Sequence, residues 1–179
     1  MNIEDQPTQG PDGQAESRNE IVVGIDDSPE SAAALRWAAE QSKASGTPLR
    51  LIHTWQLSAA ASAAVISGAA EYLEAASADA RARATRWVLD TLGGNAAQVR
   101  WTLEVHEGGA GPVLVAAAHG ARLLVVGTHE HTGLRRAVAG SVSHYALSHT
   151  DVPVVAVPEA PVELPSARDW RASPVGPLL

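Results

Sequence analysis

The feature that most constrains this chain is a recurrence of five short apolar runs, each followed or preceded by a segment of helical composition. The runs are residues 21–25 (IVVGI), 49–55 (LRLIHTW), 98–105 (QVRWTLEV), 122–126 (RLLVV) and 152–157 (VPVVAV). Short runs that are apolar at their centre suit strands covered on both faces. The third run differs: Val99, Trp101, Leu103 and Val105 alternate with Arg100, Thr102 and Glu104. That pattern predicts a strand with one wetter face, near an edge of the sheet. Helices are expected from Pro29 to about Ser45, from about Ala70 to Leu92, from the Gly108–Gly111 turn to about His119, and from Ser141 to His149. Strand and helix therefore alternate from end to end. This order predicts the α/β class: a single doubly wound parallel sheet, helices on both faces, right-handed crossovers.

Local punctuation agrees with these boundaries. Asp26–Pro29 (DDSP) breaks the first run, where Asp27 or Ser28 can cap a helix and Pro29 suits its first turn. Glu30 favours the positive end of that helix. Gly46-Thr47-Pro48 ends it, Gly93-Gly94 ends the long helix, and Gly120 suits a left-handed position after the third. Pro153 demotes the fifth run to an edge strand or makes it a strand start. The long helix containing Tyr72 carries an apolar stripe that packs on a sheet rather than on a membrane.

Composition narrows the function classes. The formal net charge of −7 argues against a nucleic-acid binder, which needs a basic face. There is no cysteine, so disulfides, thiolate catalysis and Cys-zinc sites are excluded, and the composition is compatible with the cytoplasm. No apolar run reaches the roughly 18–20 residues of a membrane span. Residues 1–19 are polar, acidic and rich in Gly and Pro, which predicts a disordered leader. A domain is expected over residues 20–158, and residues 159–179 read as an extended or disordered tail. Hydrophobic residues make up 45% of the chain, with no phenylalanine, so the core is built from small and branched aliphatics.

In open α/β sheets, ligands bind beyond the carboxyl ends of the strands, where the strand order reverses. Two segments there have unusual composition: Asp26-Asp27-Ser28, and the stretch from Gly127 to Ser143 (GTHEHTGLRRAVAGSVS). A loop is expected from Gly127 to Gly140. Gly140-Ser141 at the start of a helix suits either ordinary N-capping or a phosphate cradle, since free N–H groups and the helix dipole favour an anion. His129 and His131 have metal-ligand spacing but no evident third ligand, so they read as solvated or phosphate-near. His53 reads as a core histidine at a strand end, and His106, His119, His144 and His149 have no evident partners. Trp37, Trp55, Trp87 and Trp101 read as core or interface residues. Neither a Walker A loop nor a G-x-S-x-G elbow is present.

Several of these segments together resemble the universal stress protein family. That family carries G-x2-G-x9-G-[ST] after its fourth strand, matched here at Gly127, Gly140 and Ser141 and continued by Val142 and Ser143. Its V-G-x-D-x-S-x-x-S pattern is matched at Val23, Gly24, Asp26, Ser28 and Ser31, and Ala34 to Ala38 (ALRWA) continues the likeness. The resemblance implies a five-stranded parallel sheet of order 3-2-1-4-5, with strands one and four side by side. It implies an adenine-nucleotide site, ATP with or without Mg²⁺, in which Asp26 lies near the adenosine and the backbone at His53-Thr54 near the adenine. Gly127, Thr128, Gly140, Ser141, Val142 and Ser143 would hold ribose and phosphates. It also implies a homodimer paired through the strand from Val152 to Val157, with regulatory protein partners. No dedicated catalytic base is evident, so any hydrolysis is expected to be slow. One departure stands out: Glu130 occupies the second signature glycine, where its carboxylate would repel a triphosphate, with Arg135 and Arg136 nearby in sequence.

Overall fold

The computed structural model describes residues 18–56, 70–128 and 141–159. Its first strand, β1 (Arg18–Ile25), lies at the centre of a five-stranded parallel sheet. The other strands are β2 (Leu49–Trp55), β3 (Trp101–Glu107), β4 (Ala121–Thr128) and β5 (Val154–Pro158). They are arranged β3-β2-β1-β4-β5, with every neighbouring pair parallel. Among the described residues, four α-helices lie between them: α1 (Pro29–Ser45), α2 (Ala70–Leu92), α3 (Ala110–Ala118) and α4 (Ser141–His149), the second followed by a 3-10 turn over Gly93–Ala97.

Side-chain alternation along β1 divides the core into two layers. Ile21, Val23 and Ile25 join Leu49, Leu51 and Val125 beneath α1 and α2. Val22 joins Ile52, Leu124 and Val126 beneath α3 and α4. Val22 and Val23 are both fully buried, as expected of a central strand covered on both faces. Helix α2 contributes Ala80, Ala84, Val88 and Leu92, a stripe at i, i+4 spacing, to the buried set. Trp37, Trp87 and Trp101 are partly buried against the first layer.

The ends of α1 are fixed by the residues the sequence singled out. Ser28 caps the helix through a 3.1 Å bond from the Ser31 amide, and Pro29 opens the first turn. Gly46 closes it at φ +70, where its N–H reaches Ser42 O at 2.8 Å. The inner face of α1 is built from Ser31, Ala34, Leu35, Ala38, Ala39 and Ser42, all buried. Small side chains there let the helix sit close to the sheet.

Several strand boundaries differ from the sequence expectation, β1 among them starting at Arg18 rather than Ile21. β3 starts at Trp101 rather than Gln98, because the 3-10 turn consumes residues 93–97 and the Gln98 amide folds back onto Asn95 O at 2.9 Å. β4 runs on through Gly127 and Thr128, which pair with Val157 and Pro158, so the loop does not begin at Gly127. β5 begins after Pro153, whose carbonyl accepts the Leu124 amide while its missing N–H leaves no donor unpaired. Both strands expected near an edge, β3 and β5, are the two edges. Among the described residues no helix is long and apolar enough to cross a membrane.

Candidate functional site

The chain leaves β1 toward β2 on one side and returns to β4 on the other. The carboxyl ends of β1 and β4 therefore flank the switch in strand order. A cleft of about 260 Å³ opens there. Its floor is apolar, formed by Ile52, Val126 and Leu114. Its rim carries Asp26 and Ser28 from the β1–α1 turn, Thr54 from β2, and Ser141, Val142 and Ser143 from the first turn of α4.

The β1–α1 turn is held by its own side chains. Asp26 Oδ1 accepts from the Ser28 amide at 2.9 Å and from Ser28 Oγ at 2.5 Å. Ser31 Oγ accepts from the Asp26 amide at 2.9 Å. One carboxylate oxygen of Asp26 is thus committed to the turn, and the other stands clear of it. This is why D-x-S-x-x-S needs two short hydroxyls at that spacing: Ser28 Oγ accepts from the Ser31 amide ahead of it while donating to Asp26, and Ser31 Oγ reaches back to the Asp26 amide.

Gly127 lines the cleft through its backbone, and its lack of a side chain has a packing cause. A Cβ there would meet the Glu30 carbonyl carbon at 2.7 Å and the Ser31 nitrogen at 2.8 Å. The first turn of α1 rests directly on β4, and Glu30, buried to 9% exposure, also lines the cleft. On the opposite wall, Ser143 is buried and its hydroxyl lies 3.5 Å from Thr128 Oγ1, tying α4 to the end of β4.

Of the nine residues singled out from the sequence, Asp26, Thr54, Gly127, Ser141, Val142 and Ser143 come together around this cleft. Thr128 stands behind it, against Ser143. His53 goes elsewhere: neighbouring residues of a strand point to opposite faces, so His53 and Thr54 separate. The His53 Nδ1 lies 3.1 Å from Ile25 O, and the ring lines a second cleft of about 460 Å³ with Trp87, Arg83, Arg86 and Asp90 of α2. Gly140 lies outside the described residues, as do Glu130, Arg135, Arg136, His129 and His131. The strand residues Ile52 and Val126 escaped sequence reasoning, as did Ala110 and Leu114 of α3, while Gly24 was named only as part of the strand-one pattern. The signal for the strand residues was available: each stands two positions before a rim or end residue (Thr54, Thr128), hence on the same face.

Three histidines without evident partners in the sequence have partners in the fold. His106 Nε2 lies 2.9 Å from Glu104 Oε2, His119 Nδ1 lies 2.8 Å from Asp151 Oδ2, and the His149 ring stacks on Tyr145 at 4.0 Å. Glu104 is the most perturbed of these groups. Arg50 grips it twice, Nε to Oε1 at 2.6 Å and Nη2 to Oε2 at 3.0 Å. That hydrogen bonding, against the opposing effect of burial, holds the Glu104 carboxyl down to about 2. Arg50 completes its shell with Ala117 O at 2.9 Å and Glu20 Oε1 at 3.4 Å.

A parallel sheet with a cleft at its switch point, flanked by the first turns of two helices, defines a doubly wound α/β module with its cleft where such sheets place ligands. The chain belongs to the universal stress protein family, whose sequence model matches residues 17–158. A universal stress protein of Mycolicibacterium smegmatis (strain ATCC 700084 / mc(2)155) is 33% identical over 144 residues, covering 76% of this chain and 47% of that protein. The chain therefore spans about half the length of that relative. Among solved structures, a universal stress protein in complex with cAMP matches with a TM-score of 0.51 and 20% identity, covering 81% of this chain and 100% of the other. The universal stress protein of Archaeoglobus fulgidus in complex with dAMP matches with a TM-score of 0.52 and 18% identity, covering 79% and 98%. At those identities the likeness is one of fold.

Proposed function

We propose that this chain is a cytoplasmic stress-response module that binds an adenine nucleotide, ATP with Mg²⁺, in the cleft at the ends of β1 and β4. The observation that carries this reading is the convergence of Asp26, Thr54, Gly127 and the first turn of α4 on one cleft. The groups suit the parts of such a ligand. The uncommitted oxygen of Asp26 is an acceptor for ribose hydroxyls. The apolar floor of Ile52, Leu114 and Val126 suits a base. The N-terminal amides of α4, which lack partners within the helix, suit a phosphate. The cAMP and dAMP complexes of structurally similar family members support the same class of ligand. Asp26 and Glu30 line the cleft and no Lys, Arg or His does so among the described residues, so a triphosphate would need Mg²⁺ to offset its charge. We read the protein as a homodimer joined through the strand from Val152 to Val157, because β5 is an edge strand with an open hydrogen-bonding side.

The test is mass spectrometry of small molecules released on denaturing freshly purified protein, with calorimetric titration of ATP and Mg²⁺ alongside. Released or titrated adenine nucleotide supports the reading. Absence of both at millimolar ATP refutes it. Light scattering on a size-exclusion column checks the dimer; a monomer at high micromolar concentration refutes that part.

A second reading has an observation in its favour. Gly127 is required by the contact with α1 whether or not a ligand is present, and Glu130 departs from the family's glycine pattern. A member that acts through protein partners without a nucleotide fits both facts. A Glu130→Gly variant separates the readings, since it tightens ATP binding only if the cleft is a nucleotide site.

A further inference from the structure

The cleft that takes His53 lies on the other face of the sheet from the switch-point cleft. It opens between the carboxyl ends of β1 and β2 and helix α2, and at about 460 Å³ it is the larger of the two. Ile25, Ala84 and Trp87 give it an apolar wall. Ile25 and Ala84 are buried, and the Trp87 indole packs on the core with part of its surface exposed. A concave apolar surface with a few polar groups, at the ends of parallel strands, is the usual form of a small-molecule site.

The polar groups around this wall are mainly acceptors. Asp26 and Asp27 stand on the strand side and Asp90 on the helix side. One oxygen of Asp26 is taken by Ser28, and the other is open. His53 Nδ1 lies 3.1 Å from Ile25 O, and a carbonyl only accepts, so Nδ1 carries the ring proton. In the neutral ring Nε2 is then a further acceptor. The donors are Arg83 and Arg86. Arg83 is bonded to Asp79 one turn back, which offsets its charge. Three carboxylates therefore face the single charge of Arg86 among the described residues.

An excess of acceptors beside an aromatic wall suits a cation. An ammonium group meets carboxylates through charge-assisted hydrogen bonds and an indole through its face. The acids do not converge on one point, however. Among the described residues no three of His, Asp and Glu stand close enough to hold a metal ion. Carboxylates set on two walls that share an apolar surface suit a cation whose charges are separated by an aliphatic stretch.

We infer that this cleft binds an aliphatic diamine or polyamine, its ammonium groups on Asp27 and Asp90 and its methylene chain against Ile25, Ala84 and Trp87. The site is independent of the nucleotide reading above.

The experiment is calorimetric titration of cadaverine, and separately of glutarate, into the full chain near neutral pH at one ionic strength. The two probes match in length and are opposite in charge. Cadaverine is expected to bind with one-to-one stoichiometry and glutarate not to bind. Asp27→Asn combined with Asp90→Asn is expected to weaken cadaverine binding about tenfold, the worth of one charge-assisted hydrogen bond at a solvent-exposed site. Both aspartates are exposed, so the double variant keeps the fold, and Asp26 is left intact because it lines both clefts. Arg86→Ala removes the competing cation and is expected to tighten binding. Glu40→Gln combined with Asp151→Asn removes the same charge at the opposite ends of the strands and leaves binding unchanged. No binding of cadaverine at millimolar concentration overturns the inference, as does glutarate binding equally well. Equal weakening in the two double variants also overturns it, since attraction to the net charge of −7 then accounts for the binding. The wild-type comparison of the two probes stands even if a variant fails to fold. None of these outcomes involves ATP, so the nucleotide reading stands or falls separately.

Discussion

Replacing Glu104 with glutamine keeps the shape of the side chain and removes its charge. In the folded chain this carboxyl sits at about 2 instead of its ordinary 4.5, mainly through the hydrogen bond from Arg50, with burial opposing and His106 assisting. At about 1.4 kcal/mol per pH unit, that depression corresponds to roughly 3.4 kcal/mol for a group shielded from water. The Glu104 side chain is 35% exposed, and solvent screening reduces the figure to about 1.5–2 kcal/mol. The loss is not fully repaired, because Arg50 is left with Ala117 O at 2.9 Å and a long 3.4 Å contact to Glu20. A carboxyl depressed on folding contributes its stability above the unfolded value and loses it as pH falls through the folded one. The gap between wild type and Glu104→Gln should therefore be full above pH 4.5 and close toward pH 2. Equilibrium urea unfolding over that range measures it. A gap under about 0.5 kcal/mol at neutral pH, or one that fails to narrow on acidification, would refute the reasoning.

Two further substitutions test how the cleft is built. Gly127→Ala forces a methyl against the backbone of α1 and should cost about 1–3 kcal/mol in urea unfolding, even without a ligand. A neutral result would mean that α1 does not sit on β4 as described. Ser28→Ala removes the cap acceptor for Ser31 and a donor to Asp26. It should cost about 1 kcal/mol, visible as a lower Tm, and an unchanged Tm would count against the turn's hydrogen bonding.

Much of the fold was legible in local pattern. The bounds of α1, α2, α4 and β2 followed from a capping serine with its proline, paired glycines, and changes of hydrophobic period. The edge positions of β3 and β5 followed from alternation and from Pro153. Strand ends were less legible. Whether Gly127 and Thr128 are strand or loop depends on their pairing with Val157 and Pro158, about thirty residues away in sequence.

The candidate site shows the same division. The universal stress protein pattern located Asp26, Gly127 and Ser141 to Ser143, because a turn that caps a helix and a glycine that admits one are set by residue type at fixed spacing. Sequence alone assigned Gly127 to a ligand; the fold shows α1 occupying the space its side chain would fill. The resemblance implied a role for the backbone at His53 and Thr54; what the fold adds is that their side chains stand on opposite faces of the sheet. His106 was without a partner in sequence, and in the fold it is held by Glu104 and, through it, by Arg50. Local sequence determines which elements form, through steric and capping preferences that act over a few residues. Which side chains meet is decided by strand register and order, which only the assembled sheet supplies.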